Sequence, residues 1–168
     1  SQSYLFIAYV TPLNSNAALG SLTINGSSAA AGSTVTLAKR TTAVVAVAAA
    51  ADSLATVSVA GANDLVAGNN TLTVTVTAED GTVASYQVTL FVTPLSTTKT
   101  IASIVVAGQS VTAGGTVTLA KGVTSVAASA TATDSNATVS VSGRTNLVEG
   151  NNTITFTVTA EDGSTASY

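Results

Sequence analysis

Shifted by 82 residues, the sequence falls on itself. Asp52 meets Asp134, Gly68 meets Gly150 and Glu79 meets Glu161 (161 − 79 = 82) with no gap. Between Leu19–Tyr86 and Ile101–Tyr168 roughly three positions in five are identical. Such a period marks two supersecondary units of one design in tandem, so the 168 residues read as two small domains rather than one. The longest match is Thr71–Tyr86, TLTVTVTAEDGTVASY, which returns at Thr153–Tyr168 as TITFTVTAEDGSTASY. Strict apolar and polar alternation running into Asp-Gly and out again predicts two antiparallel strands joined by a tight turn. Leu72, Val74, Val76 and Ala78 then share a core face, and Thr71, Thr73, Thr75 and Thr77 the opposite one.

The rest of each unit reads the same way. Leu19, Leu22 and Ile24 form a short strand closed by Asn25-Gly26, a pair suited to positive backbone dihedrals. Small residues follow from Ser27 to Ser33, and Thr34–Leu37 alternates again. The run Ala43–Ala51 is ambiguous alone, because alanine favours helix and valine strand. Its partner Ser125–Thr133 places Thr and Ser at alternate positions, which predicts a strand. Thr56–Val59 and Thr138–Val141 are the next strands. Seven or so short strands per unit predict an all-β chain of two tandem two-sheet antiparallel β-sandwiches. Composition agrees with a packed fold: 46% of residues are hydrophobic and only 8% charged, the reverse of a disordered chain. A net charge of −3 leaves little repulsion between molecules, so faces associate easily.

The offset also holds upstream. Ser3, Tyr4, Val10, Thr11, Pro12 and Leu13 match Ser85, Tyr86, Val92, Thr93, Pro94 and Leu95. Residues 1–13 therefore read as the last strand of a preceding or neighbouring sandwich, 14–95 as the first complete unit, and 96–168 as a second unit lacking its last strand. Pro12 and Asn14–Asn16 mark the linker. The expected joining strand carries Tyr4, Phe6, Ala8 and Val10, and the expected acceptor edge carries Thr153, Phe156, Val158 and Tyr168.

For chemistry the sequence offers little. It contains no Cys, His, Met or Trp, which removes disulfides, thiolates and imidazoles. Glu79-Asp80 and Glu161-Asp162 are the adjacent carboxylate pairs, but neighbours in a strand point to opposite faces, so they read as turn residues rather than an acid and base pair. Calcium at those turns would need more converging oxygens than the local sequence supplies. Lys39 and Lys121 recur at one place and could serve an isopeptide bond to an Asn; an exposed charge is the plainer reading. The sequons at Asn25, Asn69, Asn136 and Asn151 arise easily in a chain this rich in Thr and Ser. Five scattered basic residues against eight acidic ones argue against nucleic acid. There is no apolar run long enough for a spanning helix, and no phosphate loop or metal-ligand spacing. No catalytic, cofactor-binding or metal residues are expected, and the chain reads as a non-enzyme. The N-terminus has no secretory pattern, which fits a cytosolic protein, a mature chain or a fragment, and the repeat favours the last two.

Gly68-Asn69-Asn70-Thr71, the strand after it, Ala78-Glu79-Asp80-Gly81 and Ser85-Tyr86, with their partners in the second unit, resemble the cadherin-like β-sandwich repeats of bacterial surface proteins. The resemblance implies two tandem immunoglobulin-like sandwiches used as building blocks of extracellular chains, with no catalytic residues to carry over; the calcium motifs of true cadherins have no match in the linkers. The expected role is a subunit or repeat of an extracellular filament or surface fibre, its partner being itself, through head-to-tail strand complementation. A discrete polymerising subunit and a window of a longer tandem array both fit. The alternative is an adhesin module for a host protein or glycan, with Arg40 and Arg144 as its weak hints.

Overall fold

The computed structural model describes residues 2–168; among them are strands and no helix. The chain divides into two compact units, the first ending at Pro94 and the second running Leu95–Tyr168.

The first unit contains β1 (Leu19–Ile24), β2 (Ser27–Ser28), β3 (Thr34–Leu37), β4 (Ala46–Ala50), β5 (Thr56–Ala60), β6 (Gly68–Thr77) and β7 (Val83–Val92). Its sheets have the orders β2-β1-β4 and β3-β7-β6-β5. The hairpin β6–β7 is the centre of the larger sheet, paired without a break from Gly68↔Val92 to Thr77↔Val83. The alternation decides what it buries: Leu72, Val74, Val76, Val88, Leu90 and Val92 are sealed from solvent, while the Thr positions of β6 are partly exposed. Leu22 and Ile24 of β1 bring the other sheet's inner face into the same buried cluster, an arrangement consistent with a β-sandwich. The alanine-rich run is a strand, because β4 pairs with β1 through Leu22↔Ala48 and Ile24↔Ala46. At Gly61, where the backbone has φ 82°, a Cβ would run into the Thr71 carbonyl, and Gly143 stands in the same relation to Thr153.

One pairing departs from the antiparallel expectation. β3 runs parallel to β7, with Val35↔Leu90 and Leu37↔Val92. It is entered by a crossing from the sheet of β2, not by a hairpin out of β7, so nothing reverses its direction.

The second unit contains β8 (Ile101–Val106), β9 (Gln109–Val111), β10 (Ala128–Ala132), β11 (Thr138–Ser142), β12 (Thr155–Thr159) and β13 (Thr165–Ser167), in sheets of order β10-β8-β9 and β11-β12-β13. It repeats the first with two losses. Thr116–Leu119 has the same letters as β3 yet forms no strand, and Gly150–Asn152 has the same letters as the start of β6 yet lies outside β12. In the first unit both stretches pair with the second half of β7. Here β13 covers only Thr165–Ser167, and among the described residues no strand pairs with either stretch.

The expected opening strand Tyr4–Thr11 is not a strand. Tyr4, Leu5, Phe6, Ile7, Tyr9 and Val10 are between 76% and 90% exposed, with no ladder partner. In the first unit the seat equivalent to it, between β6 and β3, is already filled by β7. Without a partner, β-prone residues alone do not hold a chain in a ladder.

Candidate functional site

Where the second unit loses its ladder it opens into a groove of about 850 Å3. Val117 and Leu119 line one wall, Ile154 and Phe156 the other, with Leu147 and Tyr168 also against it. Their counterparts in the first unit show what covering does: Leu37 and Leu72 are buried there, whereas Leu119 and Ile154 are each partly exposed. Val106 and Ile104, on β8 of the other sheet, also line the opening. The groove therefore has apolar side chains within it and two stretches of backbone without a ladder at its margins, the chemistry of a missing strand.

The four expected edge residues fall in different places. Thr153 lies on the unpaired stretch and is exposed. Phe156 is buried at the start of β12, opposite Val141 on one side and, through two backbone hydrogen bonds of 2.9 Å, Tyr168 on the other. Val158 pairs on both sides, with Val139 and Ala166, so it sits in the middle of a sheet rather than on an edge. The open edge is Gly150–Ile154, N-terminal to it. Of the expected joining residues, Tyr4, Phe6 and Val10 are largely exposed, and Ala8 between them is exposed too.

Asn152 is a residue that sequence reasoning passed over. Its equivalent Asn70 donates from Nδ2 to the carbonyls of Val66, Gly68 and, across the ladder, Leu90 at 3.2 Å. Asn152 donates in the same way to Val148 at 2.7 Å and Gly150 at 3.2 Å. The third acceptor, the one on the neighbouring strand, has no counterpart among the described residues.

The carboxylate turns do something other than catalysis. In the first unit the Ala78 N–H donates to Thr82 O and Gly81 N–H to Ala78 O, closing the turn, and Asp80 Oδ1 accepts from Thr82 N–H at 2.8 Å. Glu79 reaches away from the turn: its Oε2 accepts from the N–H of Asn14, whose carbonyl in return accepts from Asp80 N–H. The second unit repeats this reciprocal pair between Glu161-Asp162 and Ser96. The tyrosine of the motif closes the same region, Tyr86 Oη donating to Ala17 O at 3.0 Å and Tyr168 Oη to Lys99 O at 3.1 Å. Each AEDG…SY segment thus fastens the stretch of chain that enters its own unit. Hydrogen bonds from the Thr82 backbone and side chain hold the Asp80 carboxyl below its usual range. Those from the Ser164 side chain and backbone, with Lys99 nearby, do so for Asp162.

Among the described residues no group of three or more His, Cys, Asp or Glu side chains converges as metal ligands, and no helix is long and apolar enough to cross a membrane. Comparison with protein-family models, with curated proteins and with solved structures finds no match to this chain.

Proposed function

We propose that the chain is a structural, non-enzymatic building block of an extracellular filament or surface fibre, made of cadherin-like, immunoglobulin-like sandwich units. These units are joined head to tail by β-strand complementation. One observation carries the reading: the second unit has an open groove where the first holds β7, and the same chain presents an unpaired apolar segment at the position equivalent to β7. An exposed edge beside an open core is an aggregation hazard unless it is filled. A contact between two different surfaces of the same chain does not close on itself and propagates as a fibre. Strand addition supplies the physical means, backbone ladders giving affinity and alternate side chains giving fit.

The test is removal of residues 1–11. A chain of these 168 residues should form filaments in negative-stain images, while the shortened chain should stay monomeric by light scattering. Filaments that persist without those residues would sink strand complementation.

A further inference from the structure

We propose that the groove accepts residues Leu5–Thr11 of a second copy in one register, running antiparallel to Gly150–Thr155 and parallel to Thr116–Leu119, with Phe6, Ala8 and Val10 inward. This rests on the strand-complementation reading and adds to it the occupant's bounds, direction and reading residues.

The first unit supplies the template. There β7 lies between β6 and β3, with Leu72↔Val88, Thr71↔Thr89 and Asn70↔Leu90 on one side and Val35↔Leu90 and Leu37↔Val92 on the other. Carried through the 82-residue repeat, Phe6 faces Ile154, Ile7 faces Thr153 and Ala8 faces Asn152, while Val117 and Leu119 flank Ala8 and Val10. The inward residues of β7, Val88, Leu90 and Val92, are fully buried, so the seats offered to Phe6, Ala8 and Val10 are core seats.

Apolar character does not choose this register. The segment LFIAYV is apolar on both faces, so a one-residue slip would bury Leu5, Ile7 and Tyr9 instead. Polar groups choose it. Asn152 Nδ2, already held by Val148 and Gly150, is placed to donate to the Ala8 carbonyl as Asn70 does to Leu90. Gly32 N–H donates to Gln87 O, and Thr89 N–H to Ser33 O. The same bonds join Gly114 to Leu5 and Ile7 to Gly115. Thr93 donates through both N–H and Oγ1 to Leu37 O just before Pro94, and Thr11 stands in that relation to Leu119 just before Pro12. At the other end, Tyr168 already holds the ladder position opposite Phe156, so the incoming strand begins at Leu5 and Tyr4 turns away. A slip would also bury the Tyr9 hydroxyl.

Cysteine pairing tests this cleanly, since the natural chain has none. The Phe156–Tyr168 pair exchanges both backbone bonds, so the Ile7–Thr153 pair, at an odd spacing from it, is of the closer, non-hydrogen-bonded kind that a disulfide bridges. Ile7 and Thr153 are both exposed and outward-facing, so Ile7→Cys with Thr153→Cys leaves each fold intact. Under mild oxidation of the full chain this variant should give a ladder of covalent multimers that reduction collapses. The slipped pairs Ala8→Cys, Leu5→Cys or Tyr9→Cys, each with Thr153→Cys, should remain largely monomeric on the same gel. A ladder strongest from a slipped pair would overturn the register while leaving strand complementation standing. A disulfide-closed monomer would overturn the second copy as occupant. No crosslink from any pair, together with a chain that stays monomeric in light scattering, would overturn the strand-complementation reading itself.

Discussion

At the scale of single residues, the repeat is a natural substitution experiment. Asn25 and Ala107 occupy the same place and both adopt left-handed backbone, φ 51° and 53°. Asn tolerates that region, and its Oδ1 here accepts from Val45 N–H at 2.9 Å. Ala107 keeps the backbone bond to Ala127 O but has no side chain to receive Ala127 N–H. Ala107→Asn should therefore stabilise the second unit by about 1–2 kcal/mol, from relieved backbone strain and one added hydrogen bond. Chemical denaturation of the variant checks it; an unchanged midpoint would mean that Ala107 carries no strain.

Elements show where sequence reading reaches and where it stops. The hairpin β6–β7 was legible because its alternation and its Asp-Gly turn agree, and the repeat partner Ser125–Thr133 resolved the alanine run as a strand. The direction of β3 was not legible: four residues, TVTL, contain nothing that says which neighbour they meet or which way it runs. More telling, the same TVTLAK stands at Thr34–Lys39 and Thr116–Lys121, and only the first includes a strand. Identical local propensity gives different structure because the ladder partner is present in one unit and not the other. Glu79 was illegible for a related reason. The local pattern makes it a turn residue, but its hydrogen-bond partner Asn14 lies 65 residues away, beyond any local pattern. The turns themselves make a prediction about acid. Because Asp80 and Asp162 have lowered folded values, their contribution is complete above the ordinary carboxyl range and is lost as pH falls through the lowered values. Thermal midpoints should hold down to about pH 4 and then drop. The Asp80→Asn, Asp162→Asn double variant, which keeps a side-chain acceptor in each turn, should drop less steeply between pH 4 and pH 2. Parallel curves would show that the two aspartates do not contribute to the acid limb.

For the whole molecule, the two units share a design but not a degree of completion, and their stabilities should differ. The first buries Leu37, Leu72, Val88, Leu90 and Val92 in one cluster, whereas the second leaves Leu119 and Ile154 partly exposed at its groove. Each large aliphatic side chain that moves from water into a core is worth about 1.5–3 kcal/mol before the cost of ordering the strand that covers it. The 168-residue chain at concentrations too low for association should therefore unfold in two steps, with amides of Ile104, Val105 and Phe156 exchanging with deuterium before those of Leu72, Val74 and Val88. Extending the chain after Tyr168 with a copy of Gln87–Pro94 would supply the groove with a strand from its own unit. That variant should raise the lower transition by at least ~4–8 °C, equivalent to about 1 kcal/mol for a unit of this size, and leave the upper one in place. It should also remain monomeric at concentrations where the unextended chain forms filaments, because the added strand competes within the molecule at high effective concentration. Stabilisation without loss of filaments would place the joint between subunits somewhere other than the groove, and an unmoved lower transition would mean that the groove is not a strand seat at all.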